Sequence, residues 1–198
     1  MPLQNSFRNI FNLKALNLEI ETWKNFRSKL NLTTNTNFIL LMANIEILDL
    51  RQDQIEDFQH IHDCVFPVKF PRKFFRDIFK TDNGVLKLNR VALLDKKTVG
   101  VLSARILAGT DNDGMGLYIT SLGCKIVHRR RGIGSALLRE ATQYAETHNC
   151  GHMFLHMQEG NEHALQFYLS FGFKIDRRVP NYYHRIEPST ALVLYKPL

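Results

Sequence analysis

A chain of 198 residues with 44% hydrophobic content suits one domain with an appendage better than two full domains, and can build a sizeable core. Its three cysteines, Cys64, Cys124 and Cys150, are few, odd in number and not in CxxC spacing, which argues against a disulfide framework or a zinc site and for a reducing compartment. The net charge of +7 fits plain solubility as well as nucleic acid, a ribosomal surface or an anionic cofactor, and does not choose among them; the longest early apolar run, FILLMA at 38–43, is too short for a membrane span.

Residues 1–41 differ from the rest: they are rich in Asn and Thr, contain no Gly, and hold five Lys/Arg against two Asp/Glu. They read as a poorly ordered extension with a short amphipathic stretch from Leu13 to Trp23 and a faint transit-peptide character. Met42 opens a more regular pattern and can itself serve as a start, so the domain is placed at 42–198. NIEILDL (44–50) alternates as a strand. Ile55, Phe58, Ile61 and Cys64–Val65 are spaced as a helix face, with Asp53 as its N-cap. A second helix follows with Pro71 at its first position. Residues 85–94 and 98–108 read as strands joined by a turn at Asp95–Lys97, and TDNDGMG (110–116) as a loop. LYITSLGCKIV (117–127) is an apolar strand containing a glycine. A helix then carries Ile133, Leu137, Leu138, Ala141, Tyr144 and Ala145 on one side, and Asn149 and Gly151 stop it. HMFLHMQ (152–158) reads as a central strand covered on both faces. Asn161 caps a helix carrying Ala164, Leu165, Tyr168 and Phe171. FGFKIDRR (171–178) and TALVLYK (190–196) close the chain as strands. The order β-α-α-β-β-β-α-β-α-β-β predicts a single mixed α/β domain without internal repeats.

HRRRGIGSALL, His128–Leu138, concentrates positive charge where a helix starts. A helix N-terminus already presents unpaired N–H groups and partial positive charge, so arginines there suit a polyanion. The P-loop spacing is absent, and a dinucleotide fingerprint fails because Leu137 occupies its third glycine position. What remains is Arg-x-x-Gly-x-Gly, Arg129, Gly132 and Gly134, between a strand and a helix. It is a cradle for a pyrophosphate or, more plainly, a solvated basic turn.

Together with VFPVKF, LYITSLGC, LHMQEGNEHALQFYLSFGF and NYYHRIEP, this stretch resembles the GCN5-related N-acetyltransferase (GNAT) family from about Asn44 to Leu198, and within it the NatE-type N-terminal acetyltransferases. The resemblance implies a mostly antiparallel mixed sheet, splayed between two neighbouring strands and flanked by helices. It implies acetyl-CoA as cosubstrate, no metal, and acetyl transfer to the α-amine of Met-initiated peptides with a hydrophobic second residue. Tyr118 and His156 would manage the proton, through an ordered water, and Tyr168 would serve the leaving thiolate. Acetyl-CoA would contact Leu122, Gly123, Cys124, Arg129, Arg130, Arg131, Gly132, Ile133, Gly134, Ser135, Asn161 and Tyr168, with Gly123 permitting close approach or a bulge. The substrate would meet Phe66, Pro67, Val68, Phe70 and Thr120 on one side and Tyr182, Tyr183, His184, Arg185 and Ile186 on the other.

The plainer readings are a core histidine for His156, a strand aromatic for Tyr118, core packing for Tyr168, Phe66 and Ile186, and a simple helix cap for Asn161. Phe70 stands where the family pattern has tyrosine and Thr120 where it has methionine, and the loop at 109–116 is slightly long. Implied partners are nascent or mature protein N-termini and a large helical auxiliary subunit of the NatA/NatE complex at the ribosome. The implied location is the cytoplasm, with the nucleus also open. A non-catalytic acetyl-CoA-binding subunit is the competing reading. An RNA binder has no RNP-like, KH-like or zinc motif behind it.

Overall fold

The structure, a computed structural model, describes residues 45–80, 84–108 and 114–198. The extension at 1–41, its amphipathic stretch and most of the predicted loop at 110–116 lie outside the described residues.

Seven strands among the described residues form one sheet in the order β1-β2-β3-β4-β5-β7-β6. They are β1 (Ile45–Asp49), β2 (Lys87–Leu94), β3 (Lys97–Ala108), β4 (Met115–Cys124), β5 (His152–Gln158), β6 (Lys174–Val179) and β7 (Ala191–Pro197). The helices are α1 (Ile55–Val65), α2 (Arg72–Arg76), α3 (Ile133–Thr147) and α4 (Glu162–Ser170). All neighbours are antiparallel except β4 and β5. The β2–β3 turn places Asp95 and Lys96 at φ of 50° and 63°, the left-handed pair that matches the twist of a tight hairpin.

Burial of apolar side chains divides between the two faces. On one face Leu102, Ala104, Leu117, Ile119, Leu155 and Leu194 pack with Leu137, Leu138 and Ala141 of α3 and Tyr168 of α4. On the other, Val91 and Val101 pack under Phe58 and Ile61 of α1 and Phe75 and Ile78 beyond α1. The second cover reaches only part of the sheet. β5 accordingly alternates: Met153, Leu155 and Met157 are buried, while Phe154, His156 and Gln158 are half-buried. The continuous apolar run therefore belongs to a strand covered fully on one face only, and the partly open face is the one that carries Tyr118 and His156.

Local differences from the sequence reading have local causes. The chain enters α1 through a 3-10 turn at Gln52–Gln54, capped by the Arg51 N–H donating to Gln54 Oε1 at 3.1 Å. Asp53 is not the cap, because its carboxylate accepts from the Arg51 guanidinium at 2.8 and 3.0 Å. On α1 it is His62, not Cys64, that is buried beside Phe58 and Ile61; Cys64 is exposed. Pro71 sits at the N-cap of α2 rather than inside it. β4 ends at Cys124, and the residues read as its tail form a 3-10 turn, Ile126–His128, with Val127 75% exposed. Phe171–Phe173 form a turn before β6, not part of the strand.

Candidate active site

β4 and β5 are paired only over Gly116–Ile119 and His152–Leu155. Beyond Ile119, β4 stays hydrogen-bonded to β3 as far as Cys124, while β5 stays with β7 as far as Gln158. The two strands part, and from Thr120 to Cys124 the β5-facing edge of β4 has no strand partner among the described residues. Strand N–H groups left unpaired are available to an extended ligand. The register also slips here: Ser103 faces Ser121 and Ala104 faces Ile119, so Thr120 is the extra residue of a bulge. The bulge lies three residues before Gly123. Gly123 itself lies under α1: a Cβ there would lie 2.9 Å from Val65 Cγ1 and 3.1 Å from Phe66 Cζ, so the lack of a side chain is accounted for by this packing.

α3 begins at the open end of the splay. Gly132, its N-cap, has φ of 78°, and Arg130 has φ of 62°. Glycine holds the left-handed conformation without a Cβ clash. No acidic residue lies in the first turn of α3. Arg129 and Arg130 are exposed and Arg131 half-buried, and none of the three has a carboxylate partner among the described residues. Helix-start N–H groups, arginines without a carboxylate partner and a strand edge without a strand partner, all among the described residues, could hold an elongated anionic cofactor. Asn161 caps α4, its Oδ1 accepting the Ala164 N–H at 3.1 Å, which leaves its amide N–H groups for a ligand.

Across the splay the aromatic side chains touch. The Tyr118 ring meets His156 edge-on at 5.7 Å between centroids and Phe154 at 5.1 Å. Tyr182, from the loop between β6 and β7, stacks on His156 at 4.6 Å and 11°. Tyr183 meets Tyr182 edge-on at 4.9 Å. Burial, then the Arg177 cation, holds the His156 imidazole below its usual pKa, so it is a neutral acceptor at pH 7. Its Nδ1 is buried with no protein partner among the described residues. Burial, then Tyr182, pushes Tyr118 above the usual phenol range, and Arg105, 5.4 Å over its ring, only partly opposes this. Tyr118 is thus a neutral phenol able to donate a hydrogen bond, and His156 is the group able to accept a proton.

The other expected residues have surroundings of their own. Tyr168 is buried in the α3–α4 core against Phe167 and Phe173, and burial keeps it protonated. Its ring contacts among the described residues are with Phe167 and Phe173, and it shares none with Tyr118 or His156. Phe66 and Phe70 belong to an aromatic cluster with Phe74 and Phe75, Val68 is half-buried and Pro67 exposed. Thr120 is half-buried at the bulge. His184 and Arg185 are exposed, and Ile186 is half-buried beside the cis Glu187–Pro188 bond.

One buried polar residue escaped the sequence reading. His62 is 1% exposed, with Nδ1 2.8 Å from the Phe58 carbonyl and Nε2 2.8 Å from Ser121 Oγ. The carbonyl only accepts, so Nδ1 carries the proton and Ser121 donates to Nε2. The signal was the spacing of Phe58, His62 and Phe66, one helix face at intervals of four. Burial lowers the His62 pKa to about 4. Unfolded chains protonate histidine near 6.5. This neutral ring therefore stabilises the fold fully above about pH 6.5, and that share is lost as pH falls toward 4. The loss amounts to about 3 kcal/mol. Chemical denaturation at pH 7 and pH 4 measures it, and His62→Phe is expected to show a visibly shallower decline.

A parted strand pair, a basic helix start and a neutral imidazole between phenols define an acyl-transfer cleft. The chain belongs to the Acetyltransferase (GNAT) family, whose pattern matches residues 55–173. It is 33% identical over 159 residues to zebrafish (Danio rerio) N-alpha-acetyltransferase 50, covering 80% of this chain and 91% of that protein. It is 36% identical over 157 residues to the Drosophila melanogaster probable N-acetyltransferase san, covering 79% and 82%. The solved structure of Arabidopsis thaliana Naa50 in complex with the bisubstrate analogue CoA-Ac-MVNAL superposes with a TM-score of 0.68 at 28% identity, covering 78% of this chain and 99% of that one.

Proposed function

We propose that this chain is an N-terminal protein acetyltransferase, moving acetyl from acetyl-CoA to the α-amine of peptides that begin with Met and a hydrophobic second residue. The observation that carries the reading is the neutral His156 ring held between Tyr118 and Tyr182 where β4 and β5 part. The named activity of the zebrafish relative and the MVNAL portion of the Arabidopsis analogue support it. Residues 42–198 are the catalytic domain.

Acetyl-CoA supplies an activated acetyl thioester. An α-amine, with an ordinary pKa of about 7.7–8.0, must lose a proton before it attacks. His156 accepts that proton, through a water oriented by the Tyr118 phenol. N–H groups on the unpaired β4 edge donate to the oxygen that gains charge. Tyr168 supplies the proton that the departing thiolate needs. Phe66, Pro67, Val68, Phe70 and Thr120 form one side of the peptide channel and Tyr182, Tyr183, His184, Arg185 and Ile186 the other. The work is placed in the cytoplasm, with the nucleus open and a helical auxiliary subunit at the ribosome as partner. No helix among the described residues is long and apolar enough to cross a membrane.

A peptide panel tests the channel. A charged second side chain against that wall would be desolvated without a partner. Met-Leu peptides are expected to exceed Ser-Glu and Asp-Asp peptides by about 100-fold in kcat/KM, with Leu, Ile and Val graded within about 10-fold. A panel won by acidic N-termini would overturn the wall assignment.

A further inference from the structure

The aromatic wall beside β4 is organised around a residue with no part in the proton transfer. Phenylalanine rings surround the His62 imidazole: Phe58 at 4.5 Å, Phe66 at 5.2 Å, Phe70 at 4.9 Å, Phe74 at 5.6 Å and Phe75 at 5.3 Å between centroids. An apolar side chain would fill this space without importing two polar nitrogens that each require a partner. The partners found join two separate pieces of the cleft. Nδ1 donates to the carbonyl of Phe58 on α1 itself. Nε2 accepts from Ser121, which is 4% exposed and directly follows the Thr120 bulge of β4.

The position along α1 matters. Near the helix start, the Thr98 hydroxyl ties α1 to β3 by donating to Asp57 at 3.2 Å. His62 provides a tie near the other end, where α1 runs into the Phe66–Phe70 wall. Its own carbonyl accepts the Phe66 N–H at 3.1 Å, closing the helix. Phe66 lies over Gly123, where a Cβ would come within 3.1 Å of its ring, in the strand segment whose edge toward β5 has no strand partner among the described residues. One imidazole thus sets the height of the wall above β4 and the lie of β4 just after its bulge.

We propose that His62, through Ser121, is a positioning residue that fixes the Phe66–Phe70 wall against the β4 bulge and so sets peptide affinity and second-residue selection; it touches neither substrate nor cofactor, and the proposal rests on the reading of the cleft given above. The neutral imidazole offers one donor and one acceptor in fixed directions. Phenylalanine at this position would keep the volume and lose the tether. Ser121→Ala would lose the tether with almost no change in volume.

Steady-state kinetics of wild type, His62→Phe, Ser121→Ala, the double variant and His62→Gln test this, with acetyl-CoA and a Met-Leu peptide compared with a Met-Ala peptide. Small displacements of positioning groups are felt strongly, so His62→Phe and Ser121→Ala are each expected to raise the peptide KM about 10-fold. The acetyl-CoA KM should stay within about 2-fold, and the preference for Leu over Ala should fall at least about 3-fold. The double variant should be no worse than either single one, because both remove the same contact. His62→Gln, with an amide donor and acceptor, should recover part of the loss. Amide exchange at residues 66–70 should quicken in Ser121→Ala. Unchanged peptide KM and unchanged exchange at 66–70 in Ser121→Ala would overturn the proposal, as would a His62→Phe defect confined to acetyl-CoA. A wild type that fails to acetylate either peptide would sink the acetyl-transfer reading, and the exchange comparison would still decide whether the wall is tethered through Ser121.

Discussion

Replacing His156 with alanine is expected to lower kcat by about 10²–10⁴-fold, the usual contribution of a positioned base, while leaving acetyl-CoA affinity nearly unchanged. His156 is a good acceptor because burial and then Arg177 disfavour its charged form. The limb of the pH profile due to this group should therefore lie below the ordinary histidine value of about 6.5, and activity should rise as pH climbs through it. Tyr118→Phe removes the hydroxyl and keeps the ring that meets His156 and Phe154. It should also reduce kcat strongly, and the double variant should be much less impaired than the product of the two single losses, since the residues act as a unit. Turnover near wild type at pH 7 in both single variants would remove the assigned roles.

The second large effect is expected at Gly132. Its φ of 78° is the left-handed conformation at the start of α3. A non-glycine residue there is strained by roughly 1–2 kcal/mol, and a β-branched one by more. Gly132→Val would also place two methyl groups beside the N–H groups and arginines that suit the phosphates. Acetyl-CoA affinity is expected to fall by about 100-fold, which corresponds to about 2.7 kcal/mol. Titration calorimetry with acetyl-CoA and denaturation of the same variant separate the two effects. Lost stability with unchanged affinity would make Gly132 a turn residue only.

Both sites depend on features that the sequence shows unequally. Period-two and period-3.6 patterns were enough for the order of elements, because those patterns are set by which side chains each element buries. The glycines and arginines at 129–134 were legible because they break periodicity at a strand–helix junction. Tyr118 and His156 were legible only through the family pattern: a half-buried histidine in an apolar strand looks like a core residue until the neighbouring strand is known to part from it. The bulge at Thr120 left no mark, since it shows only in the pairing of Ser103 with Ser121 and of Ala104 with Ile119. His62 lay in plain view at spacing four from Phe58 and Phe66, but its partner is 59 residues away. Asp53 looked like a cap by residue type, and Arg51, two residues before it, had claimed its carboxylate.

The central claim is acetyl transfer to an α-amine, and one comparison tests it most directly. The purified chain is given labelled acetyl-CoA and two peptides of otherwise identical sequence. One begins Met-Leu with a free α-amine and has no lysine; the other has a blocked N-terminus and an internal lysine. The lysine amine, with a pKa of about 10.4, is far less often free than an α-amine at about 7.7–8.0. The account predicts rapid labelling of the first peptide, on its α-amine by fragment mass, and little on the second. Labelling of the lysine peptide alone, or of neither while acetyl-CoA is bound, would contradict it.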